Sequence, residues 1–319
     1  MLIKYKGENI PNVQHIMHRI KYHAEIISQE YDIPVWKLYM GFFKDFIVEG
    51  CSAQDYFLYK FFLLNKTGKE RFITLKKRLQ YDSKNNTKQG IYSVRDKEST
   101  LKLFEKYISR DWCGQNYNGT EEHYSRFAEK HEKCILKPMS SAGGRGIQII
   151  STEMPELYRK SQKEYAVVEE LVMQHEHLNK MYSKAINTIR VVTIKGKCVG
   201  ASLRIGANGG AIDNAHAGGI FAEVDIATGI IKSNAMNYQM KSFIRHPDTG
   251  MVIPGFEIPY WKEIVTLTEE AATLIPGVSL VGWDIAVTPD GPTIIEVNDQ
   301  PGLELVQAPA GNGLRSYIK

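Results

Sequence analysis

Apolar side chains recur every three to four positions through residues 11–80. Ile16, Ile20, Ala24 and Ile27 form one such row, and Tyr56, Tyr59, Phe62 and Leu63 another. That period predicts amphipathic helices. Ser52 followed by Asp55 predicts a helix start, with the serine as N-cap. Residues 82–90 are polar and end in glycine, which predicts a boundary there. Beyond it the pattern shortens to β-rich runs at Cys134–Pro138, Gly146–Ile150, Tyr165–Glu169, Thr188–Lys195, Cys198–Arg204, Leu280–Thr288 and Thr293–Asn298. Helical spacing returns near 96–108 and 260–274, and Gly196 reads as a hairpin turn between two of the strands. No internal repeat is visible. The expectation is an α+β fold of antiparallel strands with packed helices behind a helical N-terminal region. Its domains are 1–89 and 90–319, the latter with lobes at 90–170 and 171–319.

Composition changes this picture little. Of 319 residues, 43% are hydrophobic and 24% charged, values that exclude global disorder and low-complexity architecture. No apolar run approaches the length of a bilayer span, and the start of the chain lacks a signal-peptide core, so a cytoplasmic location is expected. The four cysteines form no CxxC pair, which argues against a zinc ribbon and for buried, reduced thiols. Charge is more informative. Residues 1–90 hold 15 Lys and Arg against 9 Asp and Glu; the remainder holds 25 against 27. This N-terminal excess fits a solvated helix face, or attraction to an anionic substrate or membrane surface. No nucleic-acid-binding module accompanies it.

Candidate chemistry gathers late in the chain. Pro289-Asp290-Gly291 is turn chemistry between two alternating strands. If Trp283, Ile285 and Val287 share a face with Ile295 and Val297, opposed residues sum to about 580. Asp284 then lies opposite Glu296, with Asn298 two residues further on the same face. Two carboxylates and an amide oxygen are hard ligands suited to Mg²⁺, with Mn²⁺ as an alternative ion. A solvent-facing polar stripe would carry the same residues. Lys137 sits in the apolar run Ile135-Leu136-Lys137-Pro138 and needs an anionic partner. Ser140, Ser141, Gly143, Gly144 and Gly146 follow it, in a segment that is either a phosphate cover or a flexible hairpin loop. Arg190, inside Asn-Thr-Ile-Arg-Val, needs a phosphate or carboxylate partner, and Arg204 ends the next strand. His216 is a base or a structural histidine. No nucleophile elbow or Ser-His-Asp arrangement is present.

Taken in order, these segments resemble the ATP-grasp superfamily. They are Leu-Lys137-Pro, Ser-Ser-Ala-Gly-Gly-Arg-Gly, Val-Val-Glu-Glu-Leu-Val, Asn-Thr-Ile-Arg190-Val, Asn214-Ala-His-Ala-Gly-Gly, and Gly-Trp-Asp284 with Ile-Ile-Glu296-Val-Asn298-Asp-Gln-Pro-Gly. The helical N-terminal region and the Asn-Thr-Ile-Arg form are most similar to the sugar-transfer-associated group, which is linked to surface-polysaccharide synthesis. The ending resembles that of ribosomal-protein glutamate ligases. It differs from them at Ile212 and Asp299, which bears on the acceptor and not on the nucleotide.

The resemblance implies an ATP-grasp fold, two subdomains gripping ATP. Lys137 and Lys97 would contact the nucleotide, and Ser140 to Gly146 would cover the triphosphate. Glu169, Glu170 and Val172 would form the adenine hinge. Arg190, Arg204 and Asn214 would steady the transferring phosphoryl group, and Asp284, Glu296 and Asn298 would hold Mg²⁺. The activity implied is ligation of a small-molecule carboxylate to an amine, as sugar-linked substrates of glycan metabolism, alongside glycan-synthesis enzymes as partners. A kinase acting on a hydroxyl and a non-catalytic nucleotide-binding module are the alternatives.

Overall fold

The computed structural model describes residues 3–5, 8–10, 13–139, 146–210, 213, 215 and 218–319, with side chains from residue 17 onward. Two compact units divide the chain: Met1–Lys84 together with Ala310–Lys319, and Asn85–Pro309.

The first unit is mainly helical. After a short antiparallel pair, β1 (Ile3–Tyr5) and β2 (Glu8–Ile10), come α1 (Val13–Tyr31), α2 (Val35–Val48), α3 (Ala53–Leu58), α4 (Lys66–Glu70) and α5 (Leu75–Asn85). The apolar row buries Ile20, Ala24 and Ile27 as its period predicts. Ser52 caps α3: its side chain accepts from the Asp55 amide at 3.0 Å, and Asp55 accepts in return from the Ser52 amide at 2.7 Å. Phe42, Tyr56, Phe57 and Phe61 fill the core. The last residues join this unit through Arg71, whose carbonyl accepts from the Arg315 amide at 3.0 Å.

The second unit carries two sheets. In chain order its elements are α6 (Lys88–Arg95), α7 (Lys97–Leu103), β3 (Trp112–Cys113), α8 (Glu121–Lys130), β4 (Lys133–Pro138), β5 (Gln148–Ser151), α9 (Glu156–Glu164), β6 (Ala166–Glu170) and α10 (Glu176–Met181). Then follow β7 (Ile189–Ile194), β8 (Lys197–Ile205), β9 (Ile220–Val224), β10 (Ala235–Met236), β11 (Ser242–Phe243), α11 (Trp261–Thr273), β12 (Leu280–Thr288), β13 (Gly291–Asn298) and α12 (Glu304–Ala310). Four strands in the order β3-β6-β4-β5 form the smaller sheet, and seven in the order β11-β10-β9-β8-β7-β12-β13 form the larger. Every strand pair among the described residues is antiparallel, as the short alternating runs predict.

Each sheet has its own core. Tyr124 and Phe127 of α8 and Leu157 of α9 pack on Cys134, Leu136 and Val168 of the smaller sheet. Trp283, Ile285, Val191 and Leu203 of the larger sheet pack against Ile264, Leu267 and Ala271 of α11. The opposite face of the larger sheet carries Arg190, Arg204 and Asp284 beside a small apolar cluster at Phe221 and Leu305, and the candidate site lies there. The expected apolar face of β13 needs one correction. The register places Trp283 opposite Val297 and Asp284 opposite Glu296, but Ile285 opposite Ile294. A bulge after Asp284 makes Ile294 the buried residue and leaves Ile295 half-buried.

Candidate functional site

The charged cluster on the larger sheet is built by cross-strand register. Arg190 on β7 lies opposite Asp284 on β12, and opposite Ser202 on β8. Arg204 is two residues beyond Ser202 and so shares its side of the strand. Three charged side chains meet there. Arg190 donates to Asp284 through Nε at 2.5 Å and Nη2 at 3.0 Å, and Arg204 donates through Nη1 at 2.8 Å. Arg204 also donates to Asp213 at 3.1 Å, and Asp213 accepts from both the amide and the hydroxyl of Thr188. Burial pushes the Asp284 carboxyl up, but the two guanidinium charges outweigh it and hold it down at about 2. For Asp213 burial wins, and its carboxyl is raised. Gly282 is required below this cluster, because a Cβ there would lie 2.5 Å from the Pro301 side chain.

Glu296 faces Asp284 across the ribbon on the solvent side and makes no hydrogen bond or ion pair among the described residues. Loss of solvation and then the Asp284 charge raise its carboxyl above the ordinary glutamate range. The Asn298 side-chain nitrogen is buried without an acceptor among the described residues. Next in the chain, Asp299 accepts a two-pronged contact from Arg95 at 3.0–3.2 Å.

The smaller sheet contributes a second charged cluster. Lys137 on β4 pairs with Val167, so Glu169, two residues on, sits diagonally on the same face. The Lys137 ammonium lies 2.8 Å from Glu169. Arg110 donates to the other Glu169 oxygen at 2.5 Å, and through Nη1 to the Ile294 carbonyl of β13 at 2.6 Å. Arg110 therefore joins the two sheets. Burial raises the Glu169 carboxyl, but Arg110 and Lys137 overrule it and hold it at about 2. Burial lowers Lys137 and Lys97, and the Glu296 charge opposes that shift at both lysines. Lys97 donates to the carbonyls of Pro138 at 2.8 Å and Met139 at 3.1 Å, at the entrance to the glycine-rich segment.

The expected residues thus fall into two neighbouring groups, linked by Arg110 and by the field of Glu296. Asp284, Glu296, Asn298, Arg190 and Arg204 line the larger sheet; Lys137, Lys97 and Glu169 line the smaller. The Glu169 side chain is turned to Lys137 and Arg110. Glu170 accepts from the Asp111 amide at 2.9 Å, and Val172 is half-buried just after β6. Gly146 has a φ of +75°, which favours glycine. Ser140, Ser141, Gly143, Gly144, Ile212, Asn214 and His216 lie outside the described residues. Arg110 is the functional candidate that sequence reasoning passed over; a lone arginine between Ile108 and Trp112 was the available signal.

Two carboxylates and a carboxamide at one ribbon end form a hard-oxygen set that fits Mg²⁺. Glu296 is the member whose charge is least answered by the protein. Four cations nearby, Lys97, Lys137, Arg190 and Arg204, suit a polyphosphate.

Residues 157–319 match the family described as sugar-transfer associated ATP-grasp, and the chain belongs to that family. Its fold is therefore ATP-grasp with a helical N-terminal region. No curated protein sequence matches it. Among solved structures it is similar to the ATP-grasp ligase PsnB complexed with precursor peptide PsnA2 and AMPPNP, at 15% identity over 72% of this chain and 58% of that one, with a TM-score of 0.45. It is also similar to D-alanine–D-alanine ligase from Bacillus anthracis complexed with ATP, at 13% identity over 73% and 65% of the two chains, with a TM-score of 0.43. The ADP complex of PurK, an N5-carboxyaminoimidazole ribonucleotide synthetase, matches at 12% identity over 67% and 46%, with a TM-score of 0.40. The chain spans less than two thirds of the length of each.

Proposed function

We propose that this chain is an ADP-forming ligase that activates a small-molecule carboxylate and joins it to an amine or similar nucleophile in sugar metabolism. In this reading the catalytic core is residues 90–319, with lobes at 90–170 and 171–319, and residues 1–89 are a helical region that precedes it. A substrate carboxylate oxygen attacks the γ-phosphorus of ATP, ADP leaves, and the amine then displaces phosphate from the acylphosphate. Such chemistry needs alignment and charge neutralisation more than a protein nucleophile. Lys97 and Lys137 bind phosphate oxygens. Arg190 and Arg204 hold the transferred phosphoryl group with Asn214, which leaves Asp284 for the metal. Asp284, Glu296 and Asn298 would hold Mg²⁺, which supplies charge neutralisation on the phosphates. Ser140, Ser141, Gly143, Gly144 and Gly146 cover them, and Glu170 and Val172 border the adenine.

The observation that carries the reading is the Asp284–Glu296 cross-strand pair, two carboxylates side by side within the field of four cations. The test is ADP release from Mg-ATP across carboxylates, amines, uronic acids and sugar nucleotides, with products weighed by mass spectrometry. Ligation couples two substrates and frees phosphate. A stable phosphoester would identify a kinase instead, and nucleotide binding without ADP release a non-catalytic module.

A further inference from the structure

Helix α2 is apolar on two opposite sides. Leu38, Phe42 and Asp45 face the core of the first unit. Trp36, Met40, Phe43 and Ile47 follow steps of four, three and four, which at 3.6 residues per turn places them within about 60° of one another on the far side. With Phe46 and Val48 they are between 45% and 73% exposed. The four side chains of the stripe at that exposure present roughly 400–500 Å² of apolar surface, within the range of the largest patch of a typical monomer, which is often functional.

On the outward part of α2 itself the charge has one sign. Lys37 and Lys44, seven residues apart, border it about a quarter-turn round the helix, and both are exposed. The Lys37 ammonium lies 5.7 Å from the Trp36 ring centre. The helix's acid, Asp45, is buried and spent on Lys69 at 2.6 Å, and Glu49 at its end is buried on Lys77 at 2.8 Å. What α2 turns outward is therefore aromatic and aliphatic, with Lys37 and Lys44 on one margin, on the part of the chain that carries the basic excess. No described helix is long and apolar enough to cross a membrane.

We propose that α2 docks this protein on an anionic lipid surface, with the helix lying in the plane of the headgroups. Trp36, Met40, Phe43 and Ile47 enter the boundary between headgroups and acyl chains, and Lys37 and Lys44 meet lipid phosphates. A two-fold contact between copies fits the charges less well. It would bring the Lys37 and Lys44 margins of two identical patches together with no outward acid on the helix to answer them. Because α2 is already folded against its own core, docking needs no coupled ordering of the helix.

Trp36 makes the test direct, since it is exposed whereas Trp112, Trp261 and Trp283 are buried. The full chain is mixed with phosphatidylcholine vesicles made with and without phosphatidylglycerol. Co-sedimentation with the anionic vesicles is expected, with a blue shift of tryptophan emission and release by salt. F43S/I47S and K37E/K44E, both confined to exposed positions, should each lower the bound fraction at least about tenfold at unchanged melting temperature. Should a surface pair fail to fold, the wild-type emission shift and its salt release decide alone. Absence of sedimentation with anionic vesicles overturns the proposal. So does undiminished binding by both folded variants, or a concentration-dependent dimer that shields Trp36 and ignores vesicles.

Discussion

Asp284→Asn and Glu296→Gln each remove one carboxylate from the same cross-strand pair, yet they should move stability in different directions. Asp284 accepts three charge-assisted hydrogen bonds from two buried arginines. Its loss leaves Arg190 without its ion-pair partner, while Arg204 keeps Asp213. Breaking a buried pair in this way costs about 3–5 kcal/mol. For a unit of 150–250 residues that is a fall in melting temperature of roughly 6–20 °C. Glu296 is the reverse case. Its raised carboxyl means that protonation is easier in the folded chain than in the unfolded one. Its charge therefore costs stability once the pH rises above the ordinary glutamate range, and glutamine removes that cost. At neutral pH, Glu296→Gln should melt at the wild-type temperature or slightly above it, since solvent on its exposed side screens most of that cost. Thermal unfolding followed by circular dichroism, without nucleotide or divalent ion, measures both. Equal destabilisation by the two variants would refute the assignment of the arginines to Asp284 rather than Glu296.

The remaining expectations concern charge and thiol chemistry. Glu169 and Asp284 both titrate near 2, below their ordinary values, so their stabilisation is present above the ordinary carboxylate range and is lost as pH falls from about 4 toward 2. Asp284 contributes roughly 2 kcal/mol and Glu169 roughly 3, and acid-titrated melting of D284N should show a weaker pH dependence than wild type in that window. Arg110→Met should destabilise the second unit by about 3 kcal/mol, because it leaves Glu169 with one cation instead of two; chemical unfolding measures this, and an unchanged midpoint would refute it. Burial pushes Cys134 up to about 11 and Cys113 and Cys198 to about 12, leaving at most about one part in ten thousand as thiolate at pH 7. The native protein should thus resist iodoacetamide until denatured, as mass spectrometry would show.

Much of the larger sheet was legible because alternation and turn chemistry act locally. Pro289-Asp290-Gly291 sets the ribbon, and alternation then puts Asp284 opposite Glu296, as observed. The bulge was not legible, since Ile294 and Ile295 are chemically equivalent and either can be buried. Helix α8 was missed because its core contacts are few: Tyr124 and Phe127 stand among charged residues. The partner of Lys137 followed from the demand for an anion, but its identity as Glu169 depends on the β4–β6 register, which joins segments some thirty residues apart. Arg110 was invisible for the same reason, as both of its acceptors are remote in sequence. Membership of Ala310–Lys319 in the first unit is likewise a long-range outcome that no local pattern encodes.

In the proposed function, Glu296 with Asp284 and Asn298 holds the divalent ion that accompanies ATP. Calorimetric titration of ATP into wild type and Glu296→Gln, with and without Mg²⁺, tests it most directly. Mg²⁺ should tighten ATP binding to wild type, and the variant should lose this gain by at least about tenfold while binding metal-free ATP as before. An Mg²⁺-dependent gain of equal size in both proteins would contradict it.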